Sequence, residues 1–163
     1  MSTEMRDFQA VAWEQIPDLG LYMDQVVTFI TRTYAPLYGD DAGRCLSPSM
    51  INNYVKARII PRPEGKKYSR DQLALLIMIV TLKQVASMED IRRMLTLPEG
   101  EDAQALYEDF SVRFQQALGG ILTGDVAAEP PACAMDFAII AAAYSAASAA
   151  MLQADRDSAE AKE

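Results

Sequence analysis

The chain has 163 residues and a mass of 18.0 kDa, and half its residues are apolar, enough for one core and against wholesale disorder. Fifteen Lys and Arg against 23 Asp and Glu leave a net charge of −8, which on composition alone argues against a nucleic-acid binder. No histidine is present, which removes the commonest general base and metal ligand, and the two cysteines, Cys45 and Cys133, form no metal-binding spacing.

In chain order, Met5, Phe8 and Ala12 suggest a short amphipathic helix over 4–15. Pro17 and Asp18 open a clearer helix, with Leu19, Met23, Val26, Val27, Ile30 and Tyr34 on one face, and Pro36 stops it. Tyr38 to Gly43 reads as a loop. Ser47 caps the next helix, whose first residue Pro48 sits where a missing N–H costs nothing, and which runs to about Ala57. Met50, Ile51, Tyr54 and Val55 form its apolar side. Ser49, Asn52, Asn53 and Lys56 form the opposite stripe.

Ile59 and Ile60 lead into Pro61-Arg62-Pro63-Glu64-Gly65, which must turn, and Lys66-Lys67-Tyr68 returns as a short strand. This predicts a small β-hairpin with a basic tip. Ser69 to Gln72 cap a helix over Leu73–Val85 that is apolar almost all round, so it should be covered on more than one side. Ser87 starts a short helix through Leu95, and Pro98 and Gly100 end that unit. Leu106, Phe110, Phe114 and Leu118 mark a helix over 103–118, closed by Gly119-Gly120. Pro130-Pro131 precede an Ala-rich helix over 134–154, read as a packing helix because alanine is nearly neutral for membrane insertion. The charged tail 155–163 is expected to fray.

The net charge of −8 is unevenly spread. From Arg44 to Arg70 there are seven basic residues and one acid, Glu64, giving +6; the remaining eight basic and 22 acidic residues give −14. A solvated face or a contact with a polyanion would both produce this pattern.

The order of capped helix, Ile-Ile-Pro, basic hairpin, Tyr68-Ser69, apolar helix and short capped helix resembles the winged helix-turn-helix of the MerR family of bacterial regulators. Ser47, Ile51 and Tyr54 fall in register with it, as do Ile59-Ile60, Lys66-x-Tyr68-Ser69 and Met88-x-x-Ile91-x-x-x-Leu95. More closely, Leu46-Ser-Pro-Ser-Met-Ile-Asn-Asn-Tyr-Val-Lys56 and Pro61 to Arg70 look like a family of small Firmicute proteins with a MerR-like core and unknown function. Asn52 and Asn53 stand where MerR proteins carry Arg and Tyr, some nine residues separate the first two helices, and no long coiled coil is evident beyond residue 97.

The resemblance implies a mainly α fold: an N-terminal segment 1–15, a winged helix-turn-helix over 16–97 with a β-hairpin wing, helices for accessory or dimer contacts over 98–154, and a flexible tail 155–163. It also implies binding to double-stranded DNA. Ser49, Asn52, Asn53 and Lys56 would face the major groove, and an asparagine can read adenine. Arg58, Arg62, Lys66, Lys67 and Arg70 would meet phosphates, with Tyr68 either joining them or covering the adjoining helix. A homodimer through residues 100–154 would supply two half-sites, for which Ala138, Ala142, Ala146 and Ala150 let helices approach closely. The same alanines would serve equally to pack on Leu106, Phe110 and Phe114. A protein-interaction module on the same scaffold is the alternative.

An enzyme is not expected. Adjacent acidic pairs such as Glu89-Asp90 point to different helix faces, Gly65-Lys66-Lys67 lacks the rest of a phosphate loop, and Cys45 has no histidine as its base. No metal, cofactor or membrane contact is expected. The N-terminus carries no export signal, which together with the unpaired cysteines implies the cytoplasm.

Overall fold

The computed structural model describes residues 8–96, 102–124 and 131–160. Met5, Pro98, Gly100 and Pro130 lie outside the described residues, as do the last three of the tail. The protein is mainly helical: among the described residues six helices and no sheet are present. They are α1 (Met23–Tyr38), α2 (Pro48–Lys56), α3 (Arg70–Leu82), α4 (Met88–Met94), α5 (Ala103–Thr123) and α6 (Ala134–Glu160).

Helix α3 is the centre. From Leu73 to Leu82 every side chain is buried, as the all-round apolar sequence requires. Helix α1 crosses it, and the two are locked by the Tyr34 hydroxyl, which donates to the Ile77 carbonyl at 2.7 Å and also meets the Thr81 hydroxyl. Helices α5 and α6 cover another side. Phe110, Phe114 and Leu118 of α5 are buried with Ala142, Ala146 and Ala150 of α6. The alanine stripe therefore serves packing within the chain. One continuous core runs from Phe8 to Ala150.

Several boundaries differ from the sequence reading. No helix opens at Pro17. Gly20 takes a positive φ of 64°, Leu21 pairs with Tyr68 (Leu21 N to Tyr68 O 3.0 Å, Tyr68 N to Leu21 O 2.8 Å), and α1 begins only at Met23. Leu19, assigned to its apolar face, is 86% exposed. Pro36 lies inside α1, close to its end, where the lost N–H bond is tolerated because Leu37 and Tyr38 bury against the core. The loop after it is a 3-10 helix, Gly39–Arg44.

Residues 8–12 form no helix, and Ala12 is extended. The Gln115 side chain holds their backbone from both sides, accepting from Ala10 N at 2.8 Å and donating to Phe8 O at 3.2 Å. A 3-10 turn follows at Trp13–Gln15. Helix α5 passes through Gly119 and Gly120 and stops at Gly124, whose φ of 76° is the left-handed cap that glycine favours. Helix α6 continues to Glu160, into the stretch read as a fraying tail. Its segment Ala134–Leu152 has the length and apolarity of a membrane span, and a third of that segment is buried in the core.

The predicted hairpin is replaced by a tight turn. Glu64 pairs with Lys67, and Tyr68 pairs with Leu21 instead of with Ile59 or Ile60. Pairing is taken over by a segment more than 40 residues away, which periodicity within the hairpin cannot reveal.

Candidate nucleic-acid interface

Helix α2 is set at both ends by local chemistry. Ser47 accepts from Met50 N at 3.3 Å and Pro48 is the first helical residue. At the other end Arg58 N bonds Val55 O at 3.1 Å and Ile59 N bonds Tyr54 O at 3.0 Å, the paired closure of a Schellman motif. That motif puts its next residue in the left-handed region, and here the residue is Arg58, with φ 57°. Ile51 and Tyr54 are buried beneath the helix, and burial pushes the Tyr54 phenol above its ordinary pKa. Ser49, Asn52, Asn53 and Lys56 are all exposed on the outer side.

The wing is fixed by Gln72. This buried side chain donates to Pro61 O at 2.9 Å and accepts from Ser69 N at 2.8 Å, so the start of the wing and the cap of α3 are tied by one amide. The turn itself has Gly65 at φ 53° and Lys66 at φ 68°, two successive left-handed residues as a type I′ turn demands. Lys67 leans over the Tyr22 ring at 5.2 Å.

Between α2 and the wing lies a groove of about 970 Å³ that brings together Asn52, Lys56, Arg58 and Arg62 over an apolar floor that includes Ile60, Leu75 and Leu95. Ser49 and Asn53 are exposed outside this groove, and the Ser49 hydroxyl lies 3.0 Å from that of Ser47. Lys66 and Lys67 are exposed at the wing tip. A second hollow, which shares Pro61, Arg62 and Leu75 with the first, contains Arg62 and Lys67 together with Asp18, Glu64 and Asp71.

Two predicted phosphate ligands are not available. Tyr68 is only 3% exposed and covers the core beside Leu21. Arg70 is committed inward: its Nε donates to Ile16 O at 2.9 Å, its guanidinium pairs with Asp18 at 3.6 Å, and it lies over the Trp13 ring at 5.7 Å.

The remaining described cations fall into two groups, with Arg32 and Lys83, away from the wing, also in no ion pair among the described residues. Arg44, Arg92, Arg93 and Arg113, like Arg70, are in ion pairs with carboxylates. Lys56, Arg58, Arg62, Lys66 and Lys67 pair with no carboxylate among the described residues. Sequence reasoning found all five, but it had no signal for the left-handed backbone at Arg58 or for the apolar groove floor, which gathers residues from α2, α3 and the end of α4. Among the described residues no three His, Cys, Asp or Glu side chains come together as a metal site.

Of the known families, the model of one described as Domain of unknown function (DUF1836) matches residues 11–110, which takes in α1 to α4, the wing and the start of α5. No curated protein and no solved structure matches the chain.

Proposed function

The chain belongs to the family described as a domain of unknown function (DUF1836), and from that premise we propose that it is a DNA-binding transcription regulator, with α2 in the major groove and the 61–67 wing on phosphates. The observation that carries this reading is the group of five cations without carboxylate partners flanking an exposed Asn-rich helix face, in a protein whose other described arginines are mostly neutralised. Asn52 and Asn53 supply amides that can pair with adenine, and Lys56, Arg58, Arg62, Lys66 and Lys67 supply the sequence-independent attraction. The fold that goes with it is a MerR-like winged helix-turn-helix whose wing is reduced to the Glu64–Lys67 turn. The acidic remainder faces away from the duplex and sits in the cytoplasm with it.

Five phosphate contacts imply a log–log salt slope of about −4.5, so affinity for a random duplex should fall about 500-fold between 50 and 200 mM salt. Titration of the full chain against such a duplex at the two salt concentrations tests the reading. No binding at the lower salt, or binding that does not weaken at the higher, sinks it. In that case the apolar floor of the groove favours a second reading, an interaction module for a protein segment.

Arg58 gives a prediction with two opposite signs. A left-handed backbone costs a non-glycine residue about 1 kcal/mol, and strain of this kind is tolerated where the side chain has a use. Arg58→Gly is expected to raise stability by about 0.5–1 kcal/mol in a thermal melt. The same variant should weaken DNA binding and make the salt slope shallower by about 1. A variant that gains stability while binding unchanged would remove Arg58 from the interface.

A monomer of this size offers a single reading head, so we place a second copy against α6. Phe137, Tyr144 and Met151 are 62%, 48% and 53% exposed and recur at seven-residue steps, with Ala141 and Ser148 between them, which is the spacing of a coiled-coil seam. Sedimentation should give twice 18.0 kDa at tens of micromolar. Tyr144→Glu should return it to one, and a wild-type chain that sediments as a monomer overturns the dimer.

A further inference from the structure

We propose that Tyr22, at the start of α1, is a positioning residue for DNA binding: its ring holds the Lys67 ammonium in place to meet a phosphate. This role rests on the DNA-binding reading, and it adds the entry to α1 to the surface which that reading assigns.

The backbone brings the two residues together. Leu21 and Tyr68 exchange both of their hydrogen bonds, at 3.0 and 2.8 Å, as a directly opposed antiparallel pair does. The next residue on one segment, Tyr22, and the preceding residue on the other, Lys67, then fall opposite each other with their side chains on one face. Gly20 makes the close approach possible. It has a φ of 64°, and a Cβ there would stand 3.2 Å from the Lys67 Cβ and 3.6 Å from its Cδ, so the lysine stem lies directly on the glycine. From this bed the side chain reaches the Tyr22 ring, with its Nζ 5.2 Å from the centroid.

Tyr22 itself sits on a fixed backbone. Its N–H donates to Gln25 Oε1 at 2.9 Å and its carbonyl accepts from Val26 N at 2.9 Å, the first bonds of α1. The ring is 48% exposed, so core packing does not account for an aromatic at this position.

Lysine has a long flexible stem, and freezing it against a phosphate costs entropy. Gly20 and Tyr22 hold the stem and the head before any ligand arrives, which leaves less to lose on binding. The ring face attracts one side of the ammonium through its quadrupole and leaves N–H donors free for a phosphate oxygen. Of the five cations at α2 and the wing, Lys67 is the one that lies over a ring among the described residues.

The full chain and its variants would be titrated against a fluorescently labelled random duplex at 50 mM salt. Tyr22→Leu is expected to weaken binding about threefold, the effect of releasing one long side chain. Tyr22→Phe keeps the ring and should bind as the wild type does. In a Lys67→Met background Tyr22→Leu should change nothing further, because the side chain it positions is gone. Without DNA, the ring current of Tyr22 should move the Lys67 ε-methylene protons upfield, and Tyr22→Leu should abolish that shift. Tyr22→Met serves as a second ring-free variant should Tyr22→Leu lose its fold. A ring-free variant that binds as well as the wild type or more tightly overturns the positioning role and leaves the DNA-binding reading standing. So does Tyr22→Phe binding as weakly as Tyr22→Leu, an equal loss in the Lys67→Met background, or unshifted Lys67 protons. A wild-type chain that binds no duplex instead removes the DNA-binding reading, and the role of Tyr22 with it.

Discussion

Replacing Lys66 and Lys67 together by Glu is expected to abolish binding to duplex DNA at 50 mM salt while leaving the melting temperature nearly unchanged. The groove and wing tip carry Lys56, Arg58, Arg62, Lys66 and Lys67 against Glu64, a local charge of +4. With two reversals the same surface carries three cations and three carboxylates, a local charge of zero. A polyanion then gains nothing from approach, and the remaining three cations would support a slope of about −2.7 at most. The fold has little stake in either side chain. Both are exposed, Lys66 keeps a left-handed backbone that Glu tolerates no worse, and Lys67 gives up a contact over Tyr22 that is worth roughly 0.5–1 kcal/mol at an exposed site. Fluorescence anisotropy of a labelled random duplex, run beside a thermal melt, separates the two effects. Undiminished binding would remove the wing from the interface, and a collapsed melt would show that the turn carries more of the fold than its exposure suggests.

The parts of the site that could be read from sequence are those built by local rules. Ser47-Pro48 announces the start of α2, Ser69 with Gln72 announces α3, and the cations between Lys56 and Lys67 stand out against an acidic chain whatever the fold. What could not be read depends on partners distant in sequence. Leu19 belongs to the helical pattern on paper, but Leu21 is claimed by Tyr68 and the helix starts beyond it. The same pairing dissolves the expected hairpin and buries Tyr68. Gln115 holds the backbone of residues 8–10 from 105 positions away. Arg70 looks like one more basic residue of the wing until Ile16, Asp18 and Trp13 are seen around it.

A chain ending at residue 97 is expected not to fold, although it contains the whole DNA-reading portion. Helix α3 is buried from Leu73 to Leu82, and α1 and α2 cannot cover every side of it. Helices α5 and α6 complete the cover with Tyr107, Phe110, Phe114, Leu118 and the alanines Ala142, Ala143 and Ala146, while Gln115 and Tyr107 also hold the 8–11 backbone. Burial of four large side chains of this kind contributes about 6–12 kcal/mol, as much as the whole stability margin of a domain this size. Their removal also uncovers the apolar face of α3 that they meet. Far-UV circular dichroism of the shortened chain should therefore show no cooperative melting transition, and the chain should bind a hydrophobic dye that the full protein excludes. Phe114→Ala in the full chain is the milder version, costing about 3–5 kcal/mol in a single transition. A shortened chain that melts cooperatively would divide the protein into a self-sufficient reading head and an appendage. Loss of the transition instead makes α5 and α6 structural support for the interface, so that damage to either would reach α2 through the α3 core.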